Sequence, residues 1–266
     1  MQKLQIEVGS GGLSAENLLI ISDRLVKTNI LFYRLTESVS DINSWVLGLA
    51  NQLNLHSIDG NLCAGNDAIS EISTGGSGAA TEYIPYTNKP LSWHTDGYYN
   101  MPSEQVRAIL MHCVRPAEKG GENAFLDHEL AYILLRDESP RFIQALMESD
   151  VFRIPANVQN GVVIRPEYSG PVFSVNDDGS LHMRFSARAK NIVWKDDLTT
   201  RNAVDFLLNL LAGKSPYILR YRLNANEGII SNNILHNRTA FQEVEAREQR
   251  RLLLRARFHD RISINQ

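Results

Sequence analysis

The chain has 266 residues, a formal net charge of −3, and 43% hydrophobic against 21% charged residues. It is long enough to bury a sizeable core, and 1–266 reads as a single domain. The mild negative charge argues against nucleic acid and anionic membranes as partners, and no apolar run reaches the length of a membrane span.

In chain order, residues 14–28 place Leu18, Leu19, Ile21, Leu25 and Val26 at helical spacing behind Ser14, a candidate N-cap. Residues 29–35 read as a strand. Residues 40–53 read as a second amphipathic helix, with Ile42, Trp45, Val46, Leu49 and Leu53 on its apolar side. The glycine-rich run 75–81 lacks the Gly-Lys-Ser/Thr of a phosphate loop. A mobile loop able to close over a site is expected there instead.

From residue 68 onward strand signals dominate. Candidate strands are 106–114, 124–126, 151–154, 162–165, 172–175, 181–186, 218–223, 228–235 and 251–258. Helices are expected at 128–148, broken near Ser139-Pro140, and at 198–211. Many short strands between Gly, Asn and Asp turns point to a sandwich or barrel. The N-terminus lacks an apolar leader, and Cys63 and Cys113 make no disulfide framework, so a cytoplasmic setting with reduced thiols is expected.

Chemistry concentrates at His94-Thr95-Asp96 and at His236. Two imidazoles and a carboxylate are the ligand set of a facial triad for non-haem Fe(II), which leaves positions open for substrate and O2. Side chains alternate along a strand, so a strand through residues 94–96 would point His94 and Asp96 to one face. The other five of the seven histidines, His56, His112, His128, His182 and His259, are read as surface or satisfied core residues.

The last strand alternates as well. Arg251, Leu253, Arg255 and Arg257 share one face, and Leu252, Leu254, Ala256 and Phe258 share the other. Either the arginines face solvent or they line the interior, where each would need an anionic partner. Arginine's planar fork suits a bidentate carboxylate, such as that of a dicarboxylate co-substrate.

Four segments, in order, resemble the taurine dioxygenase-like branch of the Fe(II)/2-oxoglutarate-dependent dioxygenases, including its γ-butyrobetaine hydroxylase-like members. Leu91-Ser-Trp-His-Thr-Asp-Gly-Tyr-Tyr99 is similar to the first metal-ligand motif. Gly120-Gly-Glu-Asn-Ala-Phe-Leu-Asp127 is similar to the Gly-Gly-x-Thr-x-x-x-Asp segment that follows it. Residues 223–241 resemble the turn, strand and second histidine. Residues 250–258 resemble the terminal strand that anchors 2-oxoglutarate.

The resemblance implies a mainly β fold with flanking helices around a double-stranded β-helix (jelly-roll) core. It implies His94, Asp96 and His236 as iron ligands, and Fe(II), 2-oxoglutarate and O2 as cofactor and co-substrates. Arg251 would hold the distal carboxylate of 2-oxoglutarate, and Arg255 would lie near the metal-bound one. Which arginine makes the main salt bridge stays open, because the spacing after His236 varies among relatives. Asn123 stands where the family often has Thr and can still donate a hydrogen bond. The implied reaction oxidises an unactivated C–H bond, most often by hydroxylation, with release of succinate and CO2. Asp96 argues against the related halogenases, which replace the carboxylate by a small residue.

Tyr98, Tyr99, Glu82 and Tyr83 are candidates for the substrate pocket, and Arg184 and Arg188 could meet a substrate carboxylate. The expected substrate is a small polar molecule, amino-acid-like or an organic acid, and a homo-oligomer is left open. One alternative is a non-catalytic jelly-roll that senses a small anion or a metal. Another is a Zn(II) hydrolase, which would not explain the arginine strand. A nucleic-acid patch at 250–261 fits poorly with the interleaved leucines.

Overall fold

The computed structural model describes residues 4–60, 64–65, 67–74, 83–188, 190 and 192–264. Its framework strands, in chain order, are β1 (Gln5–Val8), β2 (Ile30–Leu35), β3 (Ser70–Ser73), β4 (Leu91–His94) and β5 (Ala108–Arg115). They continue as β6 (Asn123–Leu126), β7 (Leu219–Tyr221), β8 (Glu227–Ser231), β9 (Leu235–Arg238) and β10 (Leu252–Phe258). A six-stranded sheet runs β1-β2-β8-β5-β10-β3, and a four-stranded sheet runs β7-β6-β9-β4. Only β1–β2 is parallel within these two sheets. The two sheets make the jelly-roll core.

Strand alternation sorts the side chains into three layers of core. Ile30, Phe32, Ile109, Met111, Ile229 and Leu253 meet Phe125 of the smaller sheet between the sheets. On the outer face of the larger sheet, Leu31, Tyr33, Leu110, Leu254, Ala256 and Phe258 pack beneath helices α1 (Ala15–Thr28) and α2 (Ile42–Gln52). On the outer face of the smaller sheet, Trp93, Ala124, Leu126 and Leu235 pack against α3 (His128–Glu138), α4 (Pro140–Leu146) and α5 (Leu198–Ala212). Short hairpins between residues 152 and 194 close the flank beside α5. Among the described residues, no helix is long and apolar enough to cross a membrane.

Local chemistry places the helix ends. Ser14 and Asn17 form a capping box on α1, which satisfies two otherwise orphaned N–H groups. Asp41 caps α2. Asp127 caps α3, and Pro140 opens α4, because proline's missing N–H costs nothing in a first turn.

Several expectations are corrected. Of the apolar residues at helical spacing in α1, Leu19 and Val26 are exposed, and Ile21 and Leu25 are the buried ones. The run 228–235 is two strands in different sheets, separated at Asn232-Asn233. Asn233 takes a left-handed backbone (φ 51°), which asparagine tolerates better than most residues. The strand 181–186 ends at Met183, and the chain then crosses to the edge of β4. The 218–223 strand contracts to three residues. The first 90 residues supply three strands of the larger sheet. The glycine-rich run 75–81 and Cys63 lie outside the described residues.

His112 is a satisfied core histidine. Its Nδ1 lies 3.1 Å from the Tyr33 hydroxyl, and its ring packs against both Tyr33 and Trp45. Burial pushes its imidazole from 6.5 down to about 4. The unfolded chain therefore binds a proton that the folded chain refuses between those values, and folding stability falls as pH drops from 6.5 towards 4. Urea denaturation at stepped pH should show a shallower slope over this window in His112→Phe than in the wild type. An unchanged slope would mean that His112 does not titrate on unfolding.

Candidate active site

The fold brings the three sequence-distant groups together through pairing. In the β4–β9 ladder, His94 and His236 are direct partners. Their side chains therefore share the inner face, with ring centroids 4.3 Å apart. His236 also pairs with Phe125, an inter-sheet core residue, which confirms the direction of that face. Asp96 arrives by another route. β4 ends at His94, and Asp96 begins the following turn, so simple strand alternation does not aim its carboxylate. Asn233 aims it instead: the Asp96 N–H donates to Asn233 Oδ1 (2.8 Å), and Asn233 Nδ2 donates to the Asp96 carbonyl (2.9 Å). One potential ligand atom from each of His94, Asp96 and His236 lies within 4.8 Å of the others, and all three residues are buried.

The hydrogen bonds at the rear of each imidazole fix which nitrogen is free. His94 Nδ1 lies 2.9 Å from the Ser92 carbonyl, and His236 Nδ1 lies 3.0 Å from the Ile234 carbonyl. A carbonyl can only accept, so each Nδ1 carries the proton and each Nε2 is left as a lone-pair donor. Burial, then His236, pushes His94 down to about 3, and burial lowers His236 too. For Asp96, burial opposes the charge, but Arg255, then His236, Arg257 and His94, hold the carboxyl well below the usual range. The result is two neutral imidazoles and one carboxylate, the protonation state that a divalent metal requires. Asp96 Oδ2 is buried with no hydrogen-bond partner among the described residues.

The arginine face of the last strand points inward. Arg251, Arg255 and Arg257 are 5%, 6% and 3% exposed, on the same face as Leu253. Arg255 Nη1 lies 3.1 Å from Asp96 Oδ1, on the carboxylate of the trio. Arg257 forms an ion pair with Asp59 and donates to the Tyr99 hydroxyl (3.1 Å). Arg251 lies farther down the face, 5.2 Å from the Phe241 ring centroid, and its guanidinium meets no carboxylate at ion-pair distance among the described residues. A small cavity beside it is lined by Gly120, Gly121, Asn123, Cys113, Arg222 and Leu253, among others.

Asn123 is on the inner face, but its amide donates to the Asn237 carbonyl (2.8 Å). Tyr98 and Tyr99 stack edge to face and pack towards the α3–α5 core. Tyr83 opens a short turn over the inter-sheet core. Glu82 lies outside the described residues. Sequence reasoning missed Asn233, Asp59 and Arg238. Arg238 ties the approach to β4 by donating to the carbonyls of Pro85, Thr87 and Lys89. Its position two residues after His236, on the same strand face, was the available signal.

Residues 58–257 match the family model "Taurine catabolism dioxygenase TauD, TfdA family". A uridine-5′-phosphate dioxygenase of Amycolatopsis sp. is 28% identical over 171 residues, 62% of this chain and 59% of that protein. The chain thus spans less than two-thirds of the length of the curated relatives it matches. Among solved structures, the non-heme iron oxygenase OrfP, in complex with Fe, succinate and (3S)-hydroxy-L-Arg, superposes with a TM-score of 0.67 at 15% identity. It covers 92% of this chain and 81% of its own. An asparagine oxygenase in complex with Fe(II), 2S,3S-3-hydroxyasparagine and succinate gives 0.64 at 16% identity, over 91% and 78%. The chain belongs to the TauD, TfdA family.

Arg255 and Asp96 neutralise each other out of water, so removing one leaves a buried, unpaired charge. Arg255→Met should cost about 3–5 kcal/mol of stability. Adding Asp96→Asn should recover part of that loss, with a coupling of at least about 1 kcal/mol in a urea double-mutant cycle. Strict additivity would show that the pair is not coupled.

Proposed function

We propose that this protein is an Fe(II)/2-oxoglutarate-dependent dioxygenase that hydroxylates an unactivated C–H bond of a small polar molecule, releasing succinate and CO2. The observation that carries the reading is the buried His94–Asp96–His236 trio opening onto an interior row of arginines. Membership of the family supports it. A cytoplasmic, reducing setting belongs to the same proposal, since it would keep the iron ferrous.

The donor set fits the metal. Both Nε2 atoms are available, as is Asp96 Oδ2, which has no hydrogen-bond partner among the described residues, and three protein ligands leave positions open for co-substrates. When bound, the iron with 2-oxoglutarate and O2 supplies the C–H oxidation itself. The chain's residues do the rest. Ser92 and Ile234 carbonyls hold the imidazole tautomers, and Asn233 holds the carboxylate. Arg255 keeps Asp96 ionised. Arg251, whose guanidinium has no ion pair among the described residues, lines a cavity with Asn123 at the far end of the row, and we assign it to the distal carboxylate of 2-oxoglutarate. Tyr98, Tyr99 and Tyr83 would border the substrate.

The relative's name specifies a nucleoside monophosphate, and the solved neighbours hold hydroxylated asparagine or arginine. All are small polar molecules bearing an anionic group, which supports a substrate of that kind here.

Purified protein should convert 2-oxoglutarate to succinate only with Fe(II) and O2, and a panel of nucleotides and amino acids should raise that rate for its substrate. Asp96→Ala should abolish succinate release. Arg251→Gln should raise the KM for 2-oxoglutarate at least tenfold, or about 1.4 kcal/mol. Succinate no higher than in iron-free controls across the panel would overturn the reading.

A further inference from the structure

Arg255 and Arg257 have carboxylate partners, and Arg251 is assigned to the co-substrate. Two more arginines beside the site have neither. Arg184 is 5% exposed and lies between the rings of Phe152 and Tyr168, with its guanidinium carbon 4.8 and 4.3 Å from their centroids. Its Nη2 donates to the Phe152 carbonyl (2.9 Å), Nε finds no hydrogen-bond partner among the described residues, and Nη1 has the Tyr168 hydroxyl beside it. Arg165 lies 5.9 Å from the Tyr99 ring centroid and donates only to the carbonyls of Pro155 and Pro166. No carboxylate among the described residues forms an ion pair with either one. Their charges also repel each other, and burial already disfavours both.

Two independent routes connect this pair to the iron trio. Ser186 bridges directly to His94, and Phe185 exchanges hydrogen bonds with Thr95. Arg184 is two residues before Ser186, in the stretch that runs past Thr95 towards Asp96. Arg165 reaches the same region through Tyr99, whose hydroxyl accepts from Arg257. The backbone of Gly170 packs closely against the guanidinium and the Tyr168 hydroxyl. A Cβ at Gly170 would meet Arg184 Nη1 at 2.6 Å and the Tyr168 hydroxyl at 2.6 Å. A side chain there would crowd that edge of the guanidinium.

We propose that Arg184 and Arg165, with the Tyr168 hydroxyl, form a subsite for a phosphate monoester on the substrate, beside the iron trio. A buried guanidinium beside a half-buried one, both without counter-ions, is costly, and an arriving anion removes that cost. A carboxylate carries one charge. A phosphate monoester carries about −1.5 to −2 near neutral pH and has three acceptor oxygens, which matches two cations and a hydroxyl. The role of the subsite rests on the dioxygenase reading above. Its binding does not, because it can be measured without iron or 2-oxoglutarate.

The test is calorimetric titration and thermal shift of the full chain with phenyl phosphate, using benzoate and phenol as controls at constant ionic strength. Phenyl phosphate should bind one per chain and raise the Tm, as any ligand selective for the folded state must. Benzoate should bind at least tenfold more weakly. Arg184→Gln and Arg165→Gln should each weaken phenyl phosphate at least tenfold and erase its Tm shift, while Arg136→Gln, at an exposed arginine on α3, leaves both unchanged. Should Arg184→Gln fail to fold, the half-buried Arg165→Gln decides the matter. Absence of binding to the wild type, equal binding of benzoate, or full binding by Arg165→Gln would overturn the proposal. Succinate release without phosphate binding would leave the dioxygenase standing and remove only the subsite.

Discussion

The ion pair between Arg255 and Asp96 is the constraint around which the centre is organised. It lies in a nearly water-free space between two sheets, where a lone charge of either sign would be prohibitive. Its presence requires β10 to turn its arginine face inward. That in turn requires the leucine face to be covered, which is the work of α1 and α2. The same pair keeps Asp96 ionised while burial keeps the imidazoles neutral. The donor set is therefore prepared before any metal arrives.

The two ends of the interior then differ in character. Around Arg251 the walls are close, with Gly120, Gly121 and Asn123 facing the guanidinium, as suits a small fixed co-substrate. Around Tyr99, Arg165 and Arg184 the walls come from short hairpins between residues 152 and 186. Short hairpins on the flank of a rigid barrel can change in sequence without disturbing the framework. On the proposed reading, the family's chemistry is held by paired strands, and this chain's choice of substrate is held by the hairpins.

Much of this was legible in the residues. The alternation of Arg251 through Phe258 defined both faces of β10, although it could not say which face was interior. Burial of the leucine face under two N-terminal helices decided that, and those helices were recognised without a known destination. His94 and His236 were identifiable by motif, while their direct cross-strand pairing is a matter of register between segments some 140 residues apart. The reason for Asp96's orientation was misread. A two-residue period explained it on paper, whereas Asn233 turns it in the fold. Asn233 itself was hidden inside an apolar run that looked like one continuous strand. Asp59, the counter-ion of Arg257, lay in a stretch without periodicity and carried no local signal.

The account turns on whether the trio and Arg251 form one metal and keto-acid site. The most direct measurement is an anaerobic titration of the metal-free protein with Fe(II) and 2-oxoglutarate, followed by the weak visible charge-transfer absorption of the chelate. Saturation near one equivalent of each, lost in Asp96→Ala and weakened in Arg251→Ala, is the predicted result. Iron binding with no such absorption, or an absorption indifferent to both substitutions, would contradict it.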